Sequence, residues 1–198
     1  MKRILLFLIL LFSVIIVKSQ SPLNDKDIKD YKSQVEQMVR YLQETLNFIG
    51  DPENSAYEKD IIFKESYSKI FKDENVQVED DLDELRGISI NKDVQAYLKD
   101  IDFFFEKVNF TFDIQDIATQ VNDPGSTFFK VAMVRTLSGQ TLTGDSISNS
   151  RNRFIEINLD IDNKELKIVS FYTTKPNAKD ELYTWWNSMS RPWKDYFG

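Results

Sequence analysis

Val108-Asn109-Phe110-Thr111-Phe112-Asp113-Ile114-Gln115 decides the reading of this chain. Four apolar residues alternate with four polar ones, and a period of two marks a strand with one buried face. Downstream the same period returns. Phe128 to Leu137 is a second run; Arg153, Ile155, Ile157, Leu159 and Ile161 alternate with Phe154, Glu156, Asn158 and Asp160 in a third; Leu166 to Thr174 is a fourth. Asn122-Asp123-Pro124-Gly125, Ser138-Gly139 and Asp162-Asn163-Lys164 supply turn signals between the runs. Connections this short join antiparallel neighbours, so the second half predicts an antiparallel sheet.

Upstream the period becomes helical. Ile28, Tyr31, Val35, Met38, Leu42, Leu46 and Ile49, with Val39 beside them, form the stripe of a long amphipathic helix that Gly50 and Asp51-Pro52 end. A second helix is expected from Asn54 or Ser55 to about Lys72, and a short strand in the Val-Gln-Val alternation at Val76. Asn91 is the expected N-cap of a third helix bearing Val94, Tyr97, Leu98, Ile101, Phe104 and Phe105, with Phe103-Phe104-Phe105 wrapping its end. A last helix, about 177–190, carries Leu182, Trp185, Trp186 and Met189, with Asp180 and Glu181 in its first turn.

The N-terminus predicts a destination. Lys2 and Arg3 precede an apolar run from Ile4 to Val17, and Val17-Lys18-Ser19 offers a small residue for signal peptidase. The run falls short of the roughly 20 residues that span a bilayer. Residues 1–19 are therefore expected to be a signal peptide, 20–27 a polar tether and 28–198 one domain. The expected location is the periplasm, cell surface or medium of a Gram-negative bacterium, with no stable membrane span after cleavage.

Composition narrows the chemistry. The 198 residues carry 32 Asp and Glu against 25 Lys and Arg, and neither Cys nor His. Without cysteine there are no disulfides, thiol nucleophiles or zinc-cysteine sites. Without histidine the commonest general base and metal ligand is missing. The leader takes Lys2, Arg3 and Lys18 with it and no acid, leaving a net charge of −10, which speaks against a nucleic-acid partner. Aromatics at 13% exclude a disordered acidic chain.

The order helix, helix, short strand, helix and four antiparallel strands resembles the NTF2-like (ketosteroid isomerase/SnoaL-like) superfamily over about residues 28 to 175. Asp93 to Phe105, Arg153 to Asn158, Lys167 to Tyr172 and Trp185-Trp186-Asn187 look like an uncharacterised exported bacterial subgroup, whose domain often stands at the N-terminus of a longer chain. The resemblance implies an α+β cone: three N-terminal helices packed on a curved antiparallel sheet, plus a C-terminal helix. Its enzyme members use a cavity in the cone for acid–base work. The His-Asp version of that site is excluded here; a carboxylate–tyrosine version drawn from Tyr31, Tyr41, Asp102, Asp116, Glu156 and Tyr172 stays open, beside the reading that these residues are rim and surface groups.

Arg135 is the sharpest single residue, because it interrupts the apolar face of Phe129, Val131, Met133 and Leu137. A buried guanidinium needs a partner; Glu156 on the neighbouring strand is expected to supply it, with an anion site as the alternative. Asp102, Arg135, Glu156, Asn158 and Tyr172 are the candidate ligand-binding residues, and Trp185, Trp186 and Trp193 the candidate partner surface. No catalytic residue, metal or cofactor is assigned. Glu79-Asp80-Asp81-x-Asp83-Glu84 reads as a solvated acidic loop, and Asp160-x-Asp162-Asn163-x-Glu165 as a hairpin turn that lacks the glycine of a calcium loop. Asp145-Ser146-Ile147 resembles an O-glycan acceptor, and Asn109-Phe110-Thr111 is a formal N-glycan sequon. The expected function is an exported non-catalytic module that binds a partner protein or a small amphipathic ligand in the cone. The alternatives are a cone-cavity isomerase or dehydratase using a carboxylate and a tyrosine, and a structural or dimerisation module pairing through the sheet.

Overall fold

A computed structural model of the chain describes residues 23–83, 89–121 and 126–173. The expected signal peptide, the helix at 177–190 and the tryptophans Trp185, Trp186 and Trp193 lie outside the described residues, as does the expected turn at 122–125.

Asn24 opens helix α1, Asp25–Gly50. Its side chain accepts the Asp27 N–H at 2.9 Å while the Asp27 carboxylate accepts the Asn24 N–H at 3.3 Å, a capping box that satisfies two free donors. The helix thus reaches back into the stretch expected as a tether. Val35, Val39, Leu42, Leu46 and Ile49 are fully buried on its inner stripe. Ser55 and Glu58 cap helix α2, Ala56–Lys64, in the same way. The expected second helix is shorter than its apolar pattern suggested, because a separate 3-10 turn follows at Ser66–Lys69.

Strand β1, Gln77–Glu79, stands where the Val-Gln-Val alternation placed it. Strand β2, Asn91–Asp93, takes the position expected for a helix cap, and helix α3, Val94–Phe104, starts directly after it. Then come β3, Phe105–Val121; β4, Ser126–Thr141; β5, Ser146–Asp160; and β6, Glu165–Tyr172.

These six strands form one open sheet in the order β2-β1-β6-β5-β4-β3. Strands β3 to β6 pair antiparallel with their chain neighbours. β1 lies parallel to β6, so the sheet is mixed rather than purely antiparallel. The helices cover one face, and together the elements make the α+β cone that the resemblance implies. Among the described residues, no helix is long and apolar enough to cross a membrane.

Two glycines explain one misread turn. Ser138-Gly139 lies inside β4, where Gly139 pairs with Val108 on one side and Ile147 on the other. A Cβ on Gly139 would sit 2.2 Å from the Lys107 carbonyl oxygen, so the residue serves close strand approach rather than a bend. The chain turns instead after Thr141, where Gly144 takes the left-handed φ of 90°.

β3 is an edge strand, yet part of its edge is covered. From α1, Asn47 accepts the Phe110 N–H at 2.6 Å and donates to the Phe110 carbonyl at 3.0 Å, while Gln43 accepts the Phe112 N–H at 2.6 Å. Residues four apart on a helix share one face, so a single side of α1 meets successive free groups of the strand.

Candidate functional site

The alternation along β4 and β5 turns odd-numbered residues inward. Phe129, Val131, Met133 and Leu137 are buried on β4, and Ile155, Ile157 and Leu159 on β5. Two arginines share those inward rows. Arg135 is 1% exposed and Arg153 is 0% exposed.

Their common partner is Asp81, itself 1% exposed. Arg135 donates through Nε at 2.8 Å and through Nη2 to Asp81 Oδ2, and Nη2 also reaches the Asp81 carbonyl at 3.2 Å. Its Nη1 donates to Asn149 Oδ1 on β5. Arg153 Nη1 lies 3.4 Å from Asp81 Oδ2 and donates to the Glu79 carbonyl at 2.8 Å. Tyr97 of α3 donates its hydroxyl to Asp81 Oδ1 at 3.2 Å. One carboxylate therefore holds a sheet strand and a helix together and contacts a second arginine.

This corrects two expectations. The partner of Arg135 is Asp81 and not Glu156. Glu156 is even-numbered on β5, so its side chain leaves the opposite face of the sheet, where it pairs with Lys130 at 3.2 Å. The acidic run beginning at Glu79 is not a solvated loop either: Glu79, Asp80 and Asp81 are all buried. Asp80 meets Lys92 at 2.7 Å, and Lys92 also bonds Asp100. Burial pushes the Glu79 carboxyl up, but hydrogen bonds from Ser89 and from Thr173 and the charge of Arg153 outweigh it and hold the group below its ordinary 4.5. Burial pulls the Lys92 ammonium down, while Asp100 and Asp80 more than offset that and raise it above 10.5. Burial, then the charge of Asp81, raises the Tyr97 hydroxyl well above its ordinary value.

The other expected site residues are scattered. Asp102 faces α2, bonded to Lys59 at 2.7 Å. Asn158 is half-buried on the face of β5 that carries Glu156. Tyr172 stacks on Phe154, ring centres 5.7 Å apart, on that outer face too. Asp116 and Tyr41 are exposed, and Tyr31 packs near Phe129. Of the five ligand candidates, only Arg135 lies in the interior cluster. Among the described residues, no group of acids is arranged to hold a metal ion. The Asp160 turn is tied by its own Asn163, whose N–H and amide donate to the Asp160 carboxylate at 3.0 and 2.8 Å.

A cleft of about 460 Å³ opens at the rim beside this cluster. Its walls are Asp80, Leu82 and Asp83 from the acidic loop, Phe103, Phe104 and Phe105 from the end of α3, and Thr141, Leu142 and Thr143 from the turn after β4. Phe103 is 67% exposed and Leu142 63%. Phe103 and Phe104 meet edge to face at 5.2 Å. Asp80 and Leu82 line the cleft while Asp81 between them binds the arginines, so one loop serves both places. Sequence reasoning saw Arg135 and the Phe triplet but missed Asp81, Arg153 and Leu142. A charge heading an otherwise aliphatic row, as Arg153 does before Ile155 and Ile157, was the available signal.

No family model matches the chain, and no curated protein matches it in sequence. Solved structures match in shape. The chain is similar to a nuclear transport factor 2 (NTF2-like) superfamily protein from Salmonella enterica, with 11% identity, 76% of this chain and 94% of that one covered, and a TM-score of 0.51. It is also similar to a scytalone dehydratase candidate from Novosphingobium aromaticivorans, with 10% identity, 77% and 89% coverage and a TM-score of 0.48. A third likeness is to the association domain of CaMKII from C. elegans, with 14% identity, 73% and 97% coverage and a TM-score of 0.41. At such identities the likeness is one of fold, and the fold is NTF2-like.

Proposed function

We propose that this protein is an exported, non-catalytic NTF2-like module that binds a small amphipathic ligand at the rim cleft. The observation that carries this reading is the exposed aromatic cleft itself. Phe103, Phe104 and Leu142 present apolar surface that the other described residues leave exposed, with Thr141, Thr143 and Asp83 as a polar margin. A volume of about 460 Å³ lies within the range of small-molecule sites.

The interior argues for binding over catalysis. Asp81 and Tyr97 are a carboxylate and a tyrosine in contact, the pair that a cone-cavity isomerase would need. Asp81 is held by Arg135 and contacted by Arg153, however, so its oxygens are already occupied by the protein's own donors. The hydroxyl of Tyr97 is spent on Asp81. Export rests on the Lys2-Arg3 start, the apolar run to Val17 and the small residue at Ser19.

A thermal-shift screen of the purified protein against uncharged detergents and aromatic alcohols tests the reading. A saturable rise in Tm with at least one amphiphile is expected, and its loss in both Phe103→Asp and Leu142→Asp. Silence across the screen, or a rise unaffected by either variant, would sink it.

A further inference from the structure

Arg153 has more hydrogen-bonding capacity than its surroundings use. The guanidinium is fully buried, with its central carbon 3.8 Å from the centre of the Phe171 ring. Nη1 is taken by the Glu79 carbonyl and faces Asp81. Nε and Nη2 find no hydrogen-bond partner among the described residues. Leaving a buried donor unmet is costly, and more so for a charged group.

The neighbouring acids are engaged elsewhere. Asp81 Oδ2 accepts both Nε and Nη2 of Arg135, and Oδ1 accepts Tyr97. The Glu79 carboxylate accepts the Ser89 hydroxyl at 2.6 Å and the Thr173 N–H at 2.5 Å. The two unmet donors are also a matched pair. Nε–H and the adjacent Nη2–H run parallel along one edge of a guanidinium, and that edge fits the two oxygens of a carboxylate. Phe171, which lies under the guanidinium, is itself met edge to face by Tyr97 and Phe112, each at 6.3 Å.

We propose that the free edge of Arg153 is a receptor for the carboxylate of a small apolar monocarboxylic acid, whose body packs against Phe171 and its ring neighbours. Asp81, itself held by Arg135, acts as a positioning residue that keeps the guanidinium over Phe171. A phosphate dianion is the wrong ligand, since it would set two further charges beside Asp81 and Glu79 in a region shielded from water. This site is distinct from the rim cleft and stands whether or not the cleft binds an amphiphile. Because the group is fully buried, binding requires a local opening, and slow exchange is expected.

Benzoate is the probe, with benzamide and inorganic phosphate as parallel arms at constant ionic strength. Arginine Nε–H resonances of the ¹⁵N-labelled protein are followed, and the Arg153 signal is assigned by its contacts to the Phe171 ring. The expected result is a new Arg153 Nε–H signal growing with benzoate and a saturable rise in Tm, neither produced by benzamide or phosphate. Arg153→Lys keeps the charge but lacks the fork, so at least tenfold weaker benzoate binding is expected; should that variant fail to fold, the wild-type titration alone decides. An unmoved Arg153 signal, or equal responses to benzoate and benzamide, overturns the proposal. The Arg153 Nε–H signal reports this site alone, which separates this outcome from that of the cleft.

Discussion

Asp81 carries an unusual share of the fold for one side chain. Removing it strands two guanidinium groups in the interior, and breaking a buried ion pair from one side costs about 3–5 kcal/mol. Asp81→Ala should lose that much in urea unfolding. Glu156→Ala should stay within about 1 kcal/mol, because the Glu156–Lys130 pair is partly solvated on the outer face. The two variants separate the observed partner of Arg135 from the one its neighbouring strand suggested. Arg135 was legible because a charge on an alternating apolar face contradicts its surroundings. Asp81 was not, because an acidic run has no periodicity to say which of its members turns inward. That choice is made by arginines 54 and 72 positions further along the chain, which no local pattern encodes.

At the level of elements, period was a sound guide and punctuation a mixed one: Gly50 ends α1 and Asp162-Asn163-Lys164 turns into β6 as expected, but Ser138-Gly139 lies inside β4. The helix stripes and strand alternations appear close to where the sequence places them, since burial on one face imposes the repeat directly. β2 has three residues, too few to show a period, and the parallel pairing of β1 with β6 joins segments remote in sequence. Gly139 was misread because a glycine needed for close approach looks the same in sequence as one needed for a turn. Gly139→Ala would press a methyl group against the Lys107 carbonyl, and a loss of about 1–3 kcal/mol is expected in thermal or chemical unfolding. Lys164 is the reverse case, a non-glycine held at φ 54° in the turn between β5 and β6. Lys164→Gly should gain up to about 1 kcal/mol in the same measurement, by relieving the left-handed conformation.

For the molecule as a whole, charge sets the limits of pH. Glu79 gives up its proton more readily folded than unfolded, so its contribution is present above pH 4.5 and is lost as pH falls through its lower folded value. Lys92 holds its proton more tightly when folded, so its contribution is present below pH 10.5 and is lost above, with buried Tyr97 adding to the same alkaline decline. Unfolding midpoints across pH should show both limbs. Glu79→Gln should flatten the acid one and Lys92→Met should soften the alkaline one. The contact between α1 and β3 has a consequence of another kind. An unpaired strand edge is a template on which a second chain can polymerise. Gln43 and Asn47 occupy that template at Phe110 and Phe112, so α1 is a guard against self-assembly as well as a wall of the core. Conditions that peel α1 away would bare that edge together with the apolar core face the helix covers.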